Sequence, residues 1–293
     1  MGFVVGKIRH IASSEGSPIF LAAEFKTAVC AWDADRLCQI SAFDTVMDFG
    51  GDRLAVSGDG KICIAAAYER CGICAYETET GNLLWQRKDI KRTQRVKFRP
   101  GSSELYVGSE EGPMRILDGL TGESIGSLRA TGKIYFNLYG ENIFIQHGAR
   151  FALHGSRKLS PPNFYCLNAC GVKHGVVLSS MGEGLYCYNH DGQLIWELRP
   201  KPGHEHFLDV AYSEKHDIIF ALLYKYTQER KLPHNVLYGI RAQSGEVVYQ
   251  WGLHDEIHGA FSFMRGERLI CSSGKLLKVS DHPPELLHHF HWQ

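Results

Sequence analysis

Residues 73–89 read I-C-A-Y-E-T-E-T-G-N-L-L-W-Q-R-K-D, an alternating apolar run, a Thr-Gly turn, then a second apolar run carrying a tryptophan. Period-2 alternation on both sides of a Gly-containing turn predicts a β-hairpin, because the turn needs a residue that accepts positive φ between two half-buried strands. The pattern recurs at 114–128, 185–198 and 236–251, with fainter copies at 29–43, 151–159 and 276–291. The last residues of the first strands are Asp33, Glu77, Asp118, His154, Asn189, Arg241 and Ser280, spaced by 44, 41, 36, 35, 52 and 39 residues. Such spacings match the roughly 40 to 45 residues of a four-stranded repeat. Each unit also supplies two earlier strands, clearest in the third, where Arg95 to Phe98 and Leu105 to Gly108 flank a turn at Pro100-Gly101.

Four short strands per unit, with no helical periodicity between them, predict an all-β chain. The repeats fill the sequence without a break in composition, so one domain over residues 1–293 is expected. It reads as a single seven-bladed β-propeller with four antiparallel strands per blade. The blades fall near 1–43, 44–89, 90–130, 131–163, 164–200, 201–252 and 253–293. Closure into a ring buries each blade against two neighbours and leaves only short outer edges. Prolines in outermost strands, Pro161-Pro162 and Pro283-Pro284, would cost least there. Residues 2–5 would either start the first blade or add an outer strand to the last.

The phrase E-T-G-N-L-L-W at 79–85 resembles the quinoprotein-type (PQQ-like) repeat, and V-K-F-R-P-G-S-S-E-L-Y-V-G-S at 96–109 resembles a WD-repeat blade. This resemblance to seven-bladed propellers covers nearly the whole chain and implies the architecture alone. The Trp-Asp pair occurs once, at Trp32-Asp33, without a paired Gly-His, which implies divergent repeats of prokaryotic kind. Quinoprotein enzymes of this resemblance are secreted, have eight blades and often carry adjacent cysteines, features this sequence does not share.

Charge narrows the class of partner. With 32 basic and 32 acidic residues the net charge is zero, which gives no electrostatic reason to expect nucleic acid or an anionic membrane. The longest apolar run, Ile218 to Tyr224, is of core-strand length. The start M-G-F-V-V-G-K shows neither a signal-peptide stretch nor a myristoylation site. Nine cysteines, an odd count, fit small buried thiols in a reducing compartment, so a cytoplasmic protein is expected. Cys71-Gly72-Ile73-Cys74 lies at a strand turn rather than a helix N-terminus and reads as structural thiols.

In an up-and-down blade, the loop entering the first strand and the loop joining the second and third emerge on one face. The long connections at 44–52, 89–94, 200–206, 224–235 and 252–259 therefore share that face, where loops carry function on a rigid scaffold. Candidate partner-binding residues there are Asp48, Lys91, Arg92, His204, His206, Tyr224, Tyr226, Arg230, Lys231, His254, Asp255, Glu256 and His258. Tyr and Arg in the blade-six insertion are the types enriched at binding hot spots. His204 and His206 around Glu205, with His254 and His258 around Asp255 and Glu256, are also the donor types of a zinc-like site or of general acid-base pairs. Ordinary polar loops in a chain of 15 histidines are the preferred account of them, since such spacing is common by chance. The C-terminal L-L-H-H-F-H-W reads as an exposed outer strand rather than a chelator. No Gly-rich phosphate loop or nucleophile elbow is present.

The expected function is a non-catalytic, monomeric propeller that binds another protein, as a scaffold or as an inhibitor of immunity type, without a cofactor. The alternative is a hydrolase or lyase with a His-rich, metal-capable site at the channel mouth. Propellers host both classes.

Overall fold

The computed structural model describes residues 8–24, 28–46, 53–67, 71–110, 112–129, 133–136, 142–147, 150–153, 158–159, 166–180, 184–200, 205–225, 234–253 and 261–290. Every regular element in them is a strand. The first sheet holds β1 (Ile8–Ser13), β2 (Ile19–Glu24), β3 (Ala28–Asp33) and β4 (Cys38–Val46). The second holds β5 (Leu54–Val56), β6 (Ile62–Ala66), β7 (Ile73–Glu77) and β8 (Leu83–Arg87). The third is β9 (Thr93–Phe98), β10 (Glu104–Ser109), β11 (Met114–Asp118) and β12 (Ser124–Leu128). The fourth is β13 (Lys133–Phe136), β14 (Asn142–His147), β15 (Arg150–Leu153) and β16 (Lys158–Leu159). The fifth is β17 (Cys166–Val172), β18 (Gly175–Ser180), β19 (Gly184–Asn189) and β20 (Leu194–Leu198). The sixth is β21 (Glu205–Ser213), β22 (Ile218–Lys225), β23 (His234–Arg241) and β24 (Val247–Gly252). The last is β25 (Phe261–Met264), β26 (Arg268–Cys271), β27 (Lys275–Lys278) and β28 (Glu285–His289).

Each sheet pairs its four strands antiparallel in chain order, which is the up-and-down blade of a β-propeller. The first strands touch in the cycle β1, β5, β9, β13, β17, β21, β25 and back to β1, so they line the centre. Six of the sheets have described side chains and pack as blades, six rather than the seven expected; the fourth sheet, β13 to β16, is known by its backbone pairing alone. Among the described residues no helix is long and apolar enough to cross a membrane.

The hydrophobic pattern explains the packing. Second strands, buried on both faces, are near-continuous apolar runs: Ile62–Ala66 and Ile218 to Leu223 are buried throughout. Apolar clusters sit between sheets. One joins Leu21, Val29 and Phe43 of the first to Leu54, Cys63 and Tyr76 of the second. Another joins Val177, Leu185 and Trp196 of the fifth to Phe207, Ile219 and Ile240 of the sixth.

Among the described residues no strand is shared between the first and last sheets, and the two meet by packing. Phe20 and Trp32 of the first blade meet Met264, Ile270 and Phe290 of the last. Polar contacts flank this seam. Ser13 Oγ donates to the Phe263 carbonyl at 2.7 Å, and Asp35 accepts from Arg265 Nη2 and Arg268 Nη1, each at 2.8 Å. Burial pushes the Asp35 carboxyl up, but the bonds and charges of Arg268 and Arg265 outweigh it and hold the group below its usual range.

Two local expectations need correction. Pro283 and Pro284 lie before β28 rather than within an outer strand. A proline without an N–H fits a strand's approach as well as its edge. The long connections are also shorter than expected, because paired strands run into them: β4 extends to Val46, β9 begins at Thr93, and β22 and β23 reach Lys225 and His234. Residues 2–5 and Pro161-Pro162 lie outside the described residues. Leu286 to His289 do form the outer strand of the last blade.

Candidate functional site

Two places carry chemistry. The first is the face formed by the inter-blade connections. Aligning the inner hairpins by their pairing makes Ile8↔Glu24, Thr93↔Ser109, Cys166↔Ser180 and Phe207↔Leu223 equivalent. The sixth blade then adds two further pairs, His206↔Tyr224 and Glu205↔Lys225. Two residues of strand are about 7 Å, so among the described strands blade six stands highest on this face. Directly opposed on the sheet, His206 and Tyr224 stack, with ring centroids 6.4 Å apart and planes 9° from parallel. His206 Nδ1 is buried and has no hydrogen-bond partner among the described residues.

Of the residues expected on this face, Lys91 and Arg92 are exposed between β8 and β9, and Tyr224 is half-buried. Arg92 takes positive φ, 52°, and its carbonyl accepts from Glu110 N–H at 3.1 Å, which fixes the bend. Asp48, His204, Tyr226, Arg230, Lys231, His254, Asp255, Glu256 and His258 lie outside the described residues. Of the four candidate metal ligands only His206 is therefore placed. Among the described residues no group of three or more His, Cys, Asp or Glu is arranged to hold a metal.

The second place is the central channel, which the sequence pattern does not reveal. A cavity of about 700 Å³ is lined by β1, β5, β9, β17, β21 and β25 together with turns at their far ends. By pairing register, His10, Arg53, Arg95, Asn168 and Asp209 occupy one level. In four of these five strands a one-residue bulge immediately precedes the level, at Arg9, Gln94, Leu167 and Leu208. A bulge re-aims the residue beside it. Arg95 Nη2 donates to Asn168 Oδ1 at 3.4 Å, and Asn168 Nδ2 donates to Asp209 Oδ1. Asp209 also accepts from the N–H groups of Val210 at 3.0 Å and Phe261 at 3.2 Å. This belt ties the third, fifth, sixth and last sheets across the centre.

At the channel's other mouth stands Glu15, in the β1–β2 turn. Its surface is exposed, yet the surrounding protein removes enough bulk water to push its carboxyl up to about 7; Lys97 opposes this, and Glu267 and Glu214 add to it. Ionising such a group costs more in the folded than in the unfolded chain, whose carboxyl titrates near 4.3. Stability is thus unaffected below about pH 4 and declines as pH rises toward 7. Glu15→Gln should raise the melting temperature at pH 8 and leave it unchanged at pH 4, as thermal unfolding at both pH values will show.

The thiols behave as buried structural groups. Cys63 and Cys187 are buried and burial pushes both up to about 12; the Thr78 hydroxyl partly offsets this at Cys63. Burial also raises Cys74, while Cys71 is half-buried beside it. All described cysteines are free, including the exposed Cys38. High thiol pKa disfavours the thiolate that redox and metal chemistry need.

No protein-family model matches the chain, and no curated protein is significantly similar to it, so the fold and these two places are what bear on its function.

Proposed function

We propose that the chain is a non-catalytic protein-binding propeller, a scaffold or an inhibitor of immunity type, which recognises a partner protein through the face carrying the inter-blade loops and the blade-six insertion. The observation that supports it is the raised inner hairpin of blade six, ending in the stacked His206 and Tyr224. A rigid β-hairpin holds aromatic surface at low entropic cost, and such residues dominate binding energies. Lys91 and Arg92 would form part of the charged rim.

The same reading takes the β13–β16 sheet as a blade like the others, giving seven, of the WD-repeat or quinoprotein-like type. The cyclic contacts of the inner strands and the tryptophan-on-glycine packing between blades support it. Free thiols support a reducing, cytoplasmic setting.

Affinity capture with the tagged full-length chain tests the proposal. A partner held by wild-type protein should be lost, with affinity reduced on the order of thirtyfold, in His206→Ala/Tyr224→Ala, since a hot-spot aromatic contributes about 2 kcal/mol. A folded variant that retains its partner at wild-type affinity overturns it.

A further inference from the structure

The recognition face does not explain the channel. Its volume of about 700 Å³ falls within the 300 to 1,000 Å³ of small-molecule sites. Its cations gather on one wall, with Glu15 at the mouth beside Lys97. His10, Arg53, Arg95 and Lys97, from the first three blades, line one wall. Arg95 and Lys97 are two residues apart on β9 and so project to the same side of the strand. The opposing carboxylate, Asp209, already accepts hydrogen bonds on both oxygens, from Asn168, Val210 and Phe261. Its charge is thus fixed in the protein's own belt.

Two further observations mark this wall as built. Arg53 and Arg95 are only 5% and 7% exposed, and Arg95 is held in place by its bond to Asn168. Bulges recur at one register in four inner strands, each directly preceding a channel-level polar residue. Bulges concentrate where a strand must re-aim a functional side chain.

We propose that the channel binds a small organic anion, a carboxylate or a phosphate ester, between Arg53 and Arg95, with Lys97 completing the cationic wall. The planar guanidinium fork matches the oxygens of either group, and the low-dielectric wall strengthens the contact. Ala55 and Phe263 of the same lining would cover an apolar body.

Calorimetric titration of the dialysed full-length protein tests this, with inorganic phosphate and succinate as probes and sodium chloride at equal ionic strength as control. One site per chain is expected for at least one probe, and which probe binds separates the phosphate from the carboxylate source. Affinity should fall at least tenfold in Arg53→Gln and Arg95→Gln, and less in Arg95→Lys, which keeps the charge but loses the fork. Lys97→Glu, at a half-exposed position, should also weaken binding tenfold, so the proposal stays testable if the arginine variants fail to fold. Binding of neither probe, or unchanged affinity in Lys97→Glu, overturns it.

Discussion

Phe20→Ala should lower stability by about 3 to 5 kcal/mol, a loss typical of a buried aromatic. Phe20 is fully buried at the seam between the first and last blades. It stacks on Trp32, with centroids 6.3 Å apart and 11° between planes, and meets Phe290 edge-on at 5.2 Å. Among the described residues no strand crosses the seam, and this cluster packs across it together with Ser13 and the Asp35 ion pairs. The Arg265–Asp35 pair is solvent-exposed and contributes little, whereas Arg268 is mostly buried against Asp35. For a chain of this size the melting temperature should drop by on the order of 10 °C. Phe20→Leu, which keeps most of the volume, should cost under about 1.5 kcal/mol. Chemical unfolding of both variants measures the difference; a Phe20→Ala loss below about 1 kcal/mol would mean that the ring does not close through this cluster.

Trp196→Ala should cost a similar amount, again about 3 to 5 kcal/mol, by unlinking blades five and six. Trp196, in the outer strand of blade five, is 8% exposed and donates through Nε1 to the Ala242 carbonyl at 2.8 Å. Its ring covers Gly245 in the next blade's turn, where a Cβ would lie 2.7 Å from the indole and φ is +74°. Trp85 repeats the arrangement between blades two and three, donating to the Gly119 carbonyl at 2.9 Å over Gly122, whose φ is +72°. Trp85 is only partly buried, so Trp85→Ala should cost less than Trp196→Ala. Equal losses in urea titrations of the two variants would argue that burial does not set the contribution of these tryptophans.

The Thr-Gly hairpins were legible because one pattern serves two demands. The glycine provides the positive φ of the turn, and the tryptophan that follows in the outer strand docks on the next blade's glycine. Alternation, turn and spacing therefore all report on the blade. The same redundancy makes Ile218 to Leu223 readable as a central strand. What alternation cannot show is which inner-strand residue reaches the channel, since that depends on bulges whose only trace is one extra residue. Arg95 illustrates this: its sequence neighbours predict a strand, but only the skipped Gln94 brings it level with Asn168 and Asp209. His10 and Lys97 were hidden for the same reason, and nothing in the spacing of Arg53, whose strand has no bulge, marks it. The proposed recognition face was legible only as a set of long loops. That two of its residues, His206 and Tyr224, belong to an extended hairpin follows from pairing register, which loop length does not encode.

Amide hydrogen exchange on the complex with the captured partner, compared with the free chain, tests the recognition face most directly. Protection on binding is expected at 205–206, 224–235 and 89–94, with no change in the turns of the opposite face at 14–17, 99–103 and 214–217. Protection concentrated in those opposite turns, with 205–206 and 224–235 unchanged, would contradict recognition through blade six.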